Sequence, residues 1–126
     1  MRIDRVLAAQ LSDAYGPLLT ERQREVWSLV YDRDWSLAEV AEATAVSRAA
    51  VAETLTRTQA RLAQWEARLA LVAATARRQA HLAELERLAE ALPAGDVASR
   101  VRELCREWLR EEGLVDPGWK GSAPDV

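Results

Sequence analysis

The 126-residue chain contains one cysteine, one histidine and no phenylalanine. A lone cysteine cannot form an internal disulfide, and Cys105 and His81 together cannot supply the four ligands of a structural zinc site. The five glycines are scattered, so the chain has no glycine-rich phosphate-binding loop. No pair of titratable residues has the spacing of a nucleophile and its base. We therefore expect a non-enzymatic protein without a metal or cofactor, in the reducing cytoplasm.

The chain also lacks an excess of basic residues, with 17 Lys and Arg against 20 Asp and Glu and a pI near 5.3. This balance excludes a strongly basic nucleic-acid-binding domain, so any contact with nucleic acid must use local patches. No apolar run approaches the roughly 18 residues that span a bilayer, and the N-terminus shows no signal-peptide hydrophobic region. The hydrophobic fraction of 49% nevertheless predicts a packed core.

Apolar residues recur at helical spacing along almost the whole chain, which predicts an all-α fold. The first helix should stop at Gly16-Pro17, because proline disfavours helical geometry in the residue before it. Thr20 and Gln23 have the spacing of a capping box, which predicts the start of a second helix.

A helix-turn-helix follows in the sequence. Ser36 is the predicted N-cap of one short helix and Ser47 that of the next, and a turn of three or four residues joins them. Val46 and Val51 have the spacing of a hydrophobic staple around Ser47. Ala45 occupies the turn position that is usually glycine.

Neither glycine nor proline interrupts the chain between Ser47 and Pro93, which predicts a single helix of roughly 45 residues. After a loop at Pro93, a final amphipathic helix should end at Gly113 and is long enough to fold back along the preceding one. The predicted domains are a helix-turn-helix head over 1–61, a helical arm with the C-terminal helix over 62–112 that mediates dimerisation, and a flexible tail over 113–126.

The segments AYGPLLTERQR at 14–24, WSLAEVAE at 35–42 and VSR at 46–48 resemble the YlxM-like family of bacterial helix-turn-helix proteins. The resemblance covers roughly residues 7–71. It implies an all-α fold with a helix-turn-helix similar to that of sigma-factor region four. It also implies a regulatory role in the signal recognition particle pathway, without catalytic activity, because the genes of this family neighbour that of the particle's GTPase.

The second helix of the helix-turn-helix departs from the family where nucleic acid would be contacted. Ala49, Ala52, Thr54 and Thr56 stand where the family has Gln, Tyr, Asn and Lys, and base edges are read chiefly by Arg, Asn and Gln. This loss argues against base-specific readout. The candidate nucleic-acid contacts are Ser47, Arg48, Thr54, Arg57, Arg61, Arg22 and Arg24. The alternative is that the arginines form a solvated face and pair with neighbours such as Glu53.

The apolar stripe of the arm is too long to be buried by a head of about 60 residues, so we expect a homodimer. The candidate interface residues are Leu62, Trp65, Leu69, Val72, Leu82, Leu85 and Trp108. One hypothesis is a regulator that presents two heads to DNA or to signal recognition particle RNA. The alternative is a protein–protein adaptor for the particle that binds no nucleic acid. Neither hypothesis involves a membrane or a small-molecule substrate.

Overall fold

The computed structural model describes residues 3–113, with side chains to residue 111, and these residues form helices and no strands. The elements are α1 (Arg5–Tyr15), a 3₁₀ turn (Gly16–Leu18), α2 (Glu21–Tyr31), α3 (Leu37–Thr44), α4 (Arg48–Leu69), α5 (Leu71–Glu90) and α6 (Asp96–Gly113). The all-α helix-turn-helix prediction is confirmed. The predicted tail over 113–126 lies outside the described residues except for Gly113.

Side chains begin three of the helices as the sequence predicts. The Thr20 hydroxyl accepts a hydrogen bond from the Gln23 amide at 3.2 Å, and the Gln23 side chain accepts one from the Thr20 amide at 3.0 Å. Ser36 and Ser47 accept hydrogen bonds from the backbone amides of Glu39 and Ala50, at 3.1 and 3.0 Å. Each bond satisfies a backbone amide that the first turn of a helix leaves unpaired. The starts of these three helices are therefore determined by residues close to them in sequence.

The first core cluster joins α1 to α2 and α4. Its buried members are Ala8, Leu11, Tyr15, Leu19, Trp27 and Leu62. The Trp27 indole Nε1 donates a hydrogen bond to the Ala8 carbonyl oxygen at 3.2 Å, so this large ring is buried with its polar atom satisfied. α1 therefore packs as part of the head.

The second core cluster belongs to the helix-turn-helix itself, and its buried members are Val26, Val40, Ala41 and Val51. Trp35 and Val46 pack against them at the starts of α3 and α4. The packing of Val46 agrees with the hydrophobic staple that its spacing from Val51 indicates, and both side chains fix the entry of the chain into their helices.

The prediction of one helix from Ser47 to Pro93 is wrong. α4 ends at Leu69, Ala70 adopts left-handed geometry with φ 52°, and α5 begins at Leu71. The Leu71 amide donates to the Tyr15 hydroxyl at 3.1 Å, and the Val72 amide donates to Glu66 Oε1 at 3.0 Å. A residue of α1 therefore receives the amide that a continuous helix would bond internally, which sequence spacing within 47–93 could not show.

The described chain forms two compact units that meet in sequence between Val72 and Ala73. The second unit holds most of α5 together with α6. Leu82, Ala89, Ala98 and Cys105 are its buried residues. Arg102 donates to the Ala89 and Leu92 carbonyl oxygens at 3.0 and 2.9 Å, so α6 folds back on the end of α5. The predicted boundary between residues 61 and 62 remains a prediction.

Candidate nucleic-acid interface

The helix-turn-helix consists of α3, a tight turn and α4. Ala45 takes left-handed geometry with φ 57°, and the Val46 amide donates to the Ala41 carbonyl oxygen at 3.2 Å across the turn. This bond closes the helix C-terminus as in a Schellman motif. Alanine holds a conformation that costs an L-residue about 1–2 kcal/mol, and the packing of Val46 against the second core cluster compensates for it.

One stripe of the outward surface of α4 consists of short side chains. Ala49, Thr56 and Ala60 are exposed and lie on the side opposite the buried Val51 and Leu62. At about 100° per residue, these three positions fall within one narrow stripe. The stripe permits close approach of another molecule, but it offers no Asn, Gln or Arg along its centre to read a base edge.

Two cations flank this stripe on either side. Arg48 and Arg61 are exposed, and neither makes a hydrogen bond or an ion pair among the residues that the structure describes. They lie 13 positions apart, which corresponds to about 20 Å along the helix, and around the helix they lie about 100° and about 120° to either side of the stripe. Arg57 is different, because its guanidinium pairs with Glu53 at 2.7 Å and that carboxylate offsets its charge.

The other candidate contacts have partners within the head. Arg22 donates to the Thr44 carbonyl oxygen at 3.3 Å and so caps α3, and Arg24 donates to the Leu19 carbonyl oxygen at 3.0 Å. The Thr54 hydroxyl donates to the Ala50 carbonyl oxygen of its own helix at 3.0 Å. Ser47 is exposed and caps α4. The structure thus gives Arg22, Arg24 and Thr54 positioning roles that the sequence did not indicate.

The residues predicted for the dimer interface divide into two groups. Leu62 is fully buried in the first core cluster, Trp65 and Val72 pack against it, and Leu82 is buried within the second unit. These four side chains already pack against other residues of the same chain. Leu69, Leu85 and Trp108 are about half exposed, and their place in a dimer interface remains a prediction.

Sequence reasoning missed a hydrogen-bonding cluster formed by Tyr15 and Glu66. The Tyr15 hydroxyl donates to Glu66 Oε1 at 2.6 Å and accepts from the Leu71 amide. Burial raises the pKa of Tyr15, and the hydrogen bond to the Glu66 carboxylate raises it further. The available signal was a polar aromatic residue on the apolar face of α1, which implies a buried hydroxyl in need of a partner.

Among the residues with described side chains, no three His, Cys, Asp or Glu residues are grouped so that they could hold a metal ion. No helix within residues 3–113 is both long and apolar enough to cross a membrane.

The chain matches the model of the UPF0122 family, described as "Putative helix-turn-helix protein, YlxM / p13 like", over residues 4–94. It is 48% identical over 96 residues to a UPF0122 protein of Symbiobacterium thermophilum, covering 76% of this chain and 87% of the relative. A UPF0122 protein of Clostridium botulinum is 39% identical over 94 residues, covering 74% and 86%. One of Halalkalibacterium halodurans is 45% identical over 76 residues, covering 60% and 70%. No solved structure matches significantly.

Proposed function

The chain belongs to the UPF0122 family of YlxM/p13-like helix-turn-helix proteins, and from this premise we propose that it is a non-enzymatic regulator of the signal recognition particle pathway. Its head would contact the phosphates of nucleic acid, either DNA or the RNA of the particle, without reading bases. The family resemblance supports the pathway. Such a regulator would act in the cytoplasm, as a homodimer that carries two heads.

The observation that carries the nucleic-acid contact is the placement of Arg48 and Arg61. Both guanidinium groups are exposed without partners among the described residues. They lie on α4 about 100° and about 120° to either side of the stripe of small side chains. Positively charged groups in this arrangement bind phosphates and release counterions, which makes affinity depend on salt. The pairing of Arg57 with Glu53 and the alanines of the stripe support a weak, sequence-independent contact.

The test is a titration of the purified full chain against labelled random duplex DNA and against signal recognition particle RNA, at 50 and 200 mM salt. For the two proposed contacts, the Kd on duplex DNA should rise about tenfold between these salt concentrations. The Arg48→Ala/Arg61→Ala variant should lose affinity for both ligands. On duplex DNA its log–log salt slope should fall by about 0.9 for each lost phosphate contact.

A matched control is Arg33→Ala/Arg110→Ala, which removes the same charge from exposed positions outside α4. It should bind almost as tightly as the unmodified chain. If neither nucleic acid binds below about 10 μM at low salt, within the usual range for non-specific contacts, the nucleic-acid function is refuted.

The second candidate function is a protein–protein adaptor for the signal recognition particle. The net charge of −3 and the exposed apolar side chains of the α5–α6 unit favour it. An adaptor should bind the purified GTPase of the particle with an affinity that changes little with salt, because apolar contact is not screened. Retention of this binding in Arg48→Ala/Arg61→Ala would separate the two functions.

A further inference from the structure

The C-terminal half of α4 carries a row of long polar side chains on one side. At about 100° per residue, its four positions fall within about 60° of one another. All four side chains are exposed, and we call them the arginine row: Arg57, Arg61, Gln64 and Arg68. The row extends about 17 Å along the helix, and its middle lies about 90° around α4 from the stripe of small side chains. It is therefore a surface distinct from the stripe and nearer to the C-terminal end of α4.

The arginine row has almost no acidic neighbours. Residues 54–70 contain three arginines and a single carboxylate. That carboxylate belongs to Glu66, which accepts a hydrogen bond from Tyr15 on α1 at 2.6 Å and lies about 160° around α4 from Arg68. Neither Arg61 nor Arg68 has an Asp or Glu three or four positions away. Neither makes a hydrogen bond or an ion pair within the part of the chain that the structure describes.

Arginines elsewhere in the chain are paired with carboxylates on their own helix. On α6, Arg100 pairs with Glu103 at 3.1 Å, an arrangement typical of a solvated helix surface that mixes charges of both signs. Of the α4 arginines, only Arg57 has such a partner among the described residues, the Glu53 carboxylate at 2.7 Å. Three arginines less one paired carboxylate leave the row with a charge of +2, although the whole chain carries −3.

The chemistry of the row matches that of a phosphodiester backbone. A guanidinium group donates two parallel hydrogen bonds to phosphate oxygens, and the Gln64 amide can donate to a phosphate or sugar oxygen. Single strands are instead bound largely by stacking of their bases on exposed aromatic side chains. The only aromatic residue of α4 is Trp65, and it packs against the first core cluster. The surface is therefore suited to the backbone of a duplex, whose bases remain stacked on each other.

Resting on the nucleic-acid contact of the proposed function, we infer that the phosphodiester backbone of one strand of a duplex runs along the arginine row as far as Arg68. This backbone is common to duplex DNA and duplex RNA. Arg61 and Arg68 each bind a phosphate, and Gln64 donates to an oxygen between them. Arg48 lies on the far side of the stripe, outside the row, so the two surfaces respond to different substitutions.

The first experiment measures binding of the purified full chain to a labelled 20-base-pair duplex DNA and to a duplex RNA of the same sequence, by fluorescence anisotropy. Arg68→Ala should weaken binding at 50 mM salt by about tenfold, and on DNA its log–log salt slope should fall by about 0.9. Arg110→Ala is the matched control, because it removes one exposed arginine from α6, and it should change affinity by less than about twofold.

Two further variants separate binding from a structural role. Arg68 lies in the last turn of α4, where a cation also stabilises the end of the helix. Arg68→Lys retains that charge, so it should keep the salt slope and lose less affinity than Arg68→Ala. Gln64→Ala removes a neutral contact and should weaken binding severalfold without changing the slope. Urea unfolding of each variant, followed by circular dichroism, measures any loss of stability, which by itself would leave the slope unchanged.

The second experiment tests the choice of a duplex. A single strand of the same DNA sequence should bind at least about tenfold more weakly than the duplex at 50 mM salt, because the row offers its bases no stacking surface. A single strand that binds as tightly as the duplex would overturn the assignment. A loss in Arg68→Ala on only one of the two duplexes supports the row and identifies that nucleic acid as its ligand.

The inference and the proposed function fail in different ways. If the unmodified chain binds neither duplex at low salt, both fail. If binding is weakened in Arg48→Ala/Arg61→Ala but is the same in Arg68→Ala and Gln64→Ala as in the unmodified chain, only the inference fails, and the proposed contact at the helix-turn-helix stands.

Discussion

The hydroxyl of Tyr15 should stabilise the head by holding the break between α4 and α5. Tyr15 is fully buried, its hydroxyl donates to Glu66 at 2.6 Å, and it accepts from the Leu71 amide at 3.1 Å. Tyr15→Phe keeps the ring but removes a hydrogen bond to a carboxylate and leaves a backbone amide without its partner. Hydrogen bonds to charged groups contribute about 1.5–3 kcal/mol, so we expect a loss of about 2–3 kcal/mol in the free energy of unfolding.

The assay is urea unfolding at pH 7, followed by tryptophan fluorescence and circular dichroism. Tyr31→Phe is the matched control. The Tyr31 ring packs against Trp27 at a tilt of 42°, with the ring centroids 4.4 Å apart, and its hydroxyl makes no hydrogen bond within the described residues. We expect this control to change stability by less than about 0.5 kcal/mol. A Tyr15→Phe variant as stable as the control would refute the role of the hydroxyl.

The contribution of the Tyr15 hydroxyl to the free energy of unfolding should also depend on pH. The pKa of Tyr15 is raised in the folded state by burial and by Glu66, so the folded protein holds this proton more tightly than the unfolded chain. Its contribution is complete below the unfolded pKa of about 10 and is lost as pH rises through the higher folded pKa. The stability difference between the unmodified chain and Tyr15→Phe should therefore shrink above pH 10. A difference that stays constant there would contradict the assigned cause.

Three further predictions concern the helix-turn-helix. Ala45→Gly should raise the free energy of unfolding by about 0.5–1 kcal/mol, because glycine adopts φ 57° without steric cost, and a urea titration that shows no gain would mean that the turn is unstrained. Ser47→Ala should lower it by about 1 kcal/mol through loss of the α4 cap, whereas Ser47→Asp should retain most of it; equal losses in the two variants would contradict the capping role. Glu53→Gln should raise affinity for duplex DNA severalfold at low salt by releasing Arg57, with little gain at high salt, and an unchanged affinity would exclude Arg57 from the contact.

The fold of the head could be predicted from sequence because its signals are local. Thr20, Ser36 and Ser47 each bond an amide three residues ahead, so a stretch of four residues is enough to identify the start of a helix. Apolar spacing likewise identifies the buried side of each helix before its neighbours are known.

The candidate interface was less predictable, because its charges depend on distant partners. The sequence makes Arg22, Arg24 and Arg48 equal candidates for contact with nucleic acid. In the structure, however, Arg22 and Arg24 donate hydrogen bonds to backbone carbonyl oxygens at the ends of other segments. Exposure of Arg48 and Arg61 likewise depends on which side of α4 is buried against α1, α2 and α3. Residue type alone could not distinguish the arginines that are exposed for contact with nucleic acid from those that hold other segments of the head in place.

By itself, the sequence determined the helices of the head, their caps and the faces that form its core, since these depend on contacts within one or two turns. Only the tertiary structure decided where the long apolar stretch after Ser47 is interrupted. Residues 47–92 contain no glycine or proline, and Ala70 has no local reason to leave the helix. The break exists because Tyr15, 56 residues away from Leu71, binds the freed amide with its buried hydroxyl. A hydrogen bond across that separation forms only when α1 packs against α4, and no pattern within the stretch itself records it.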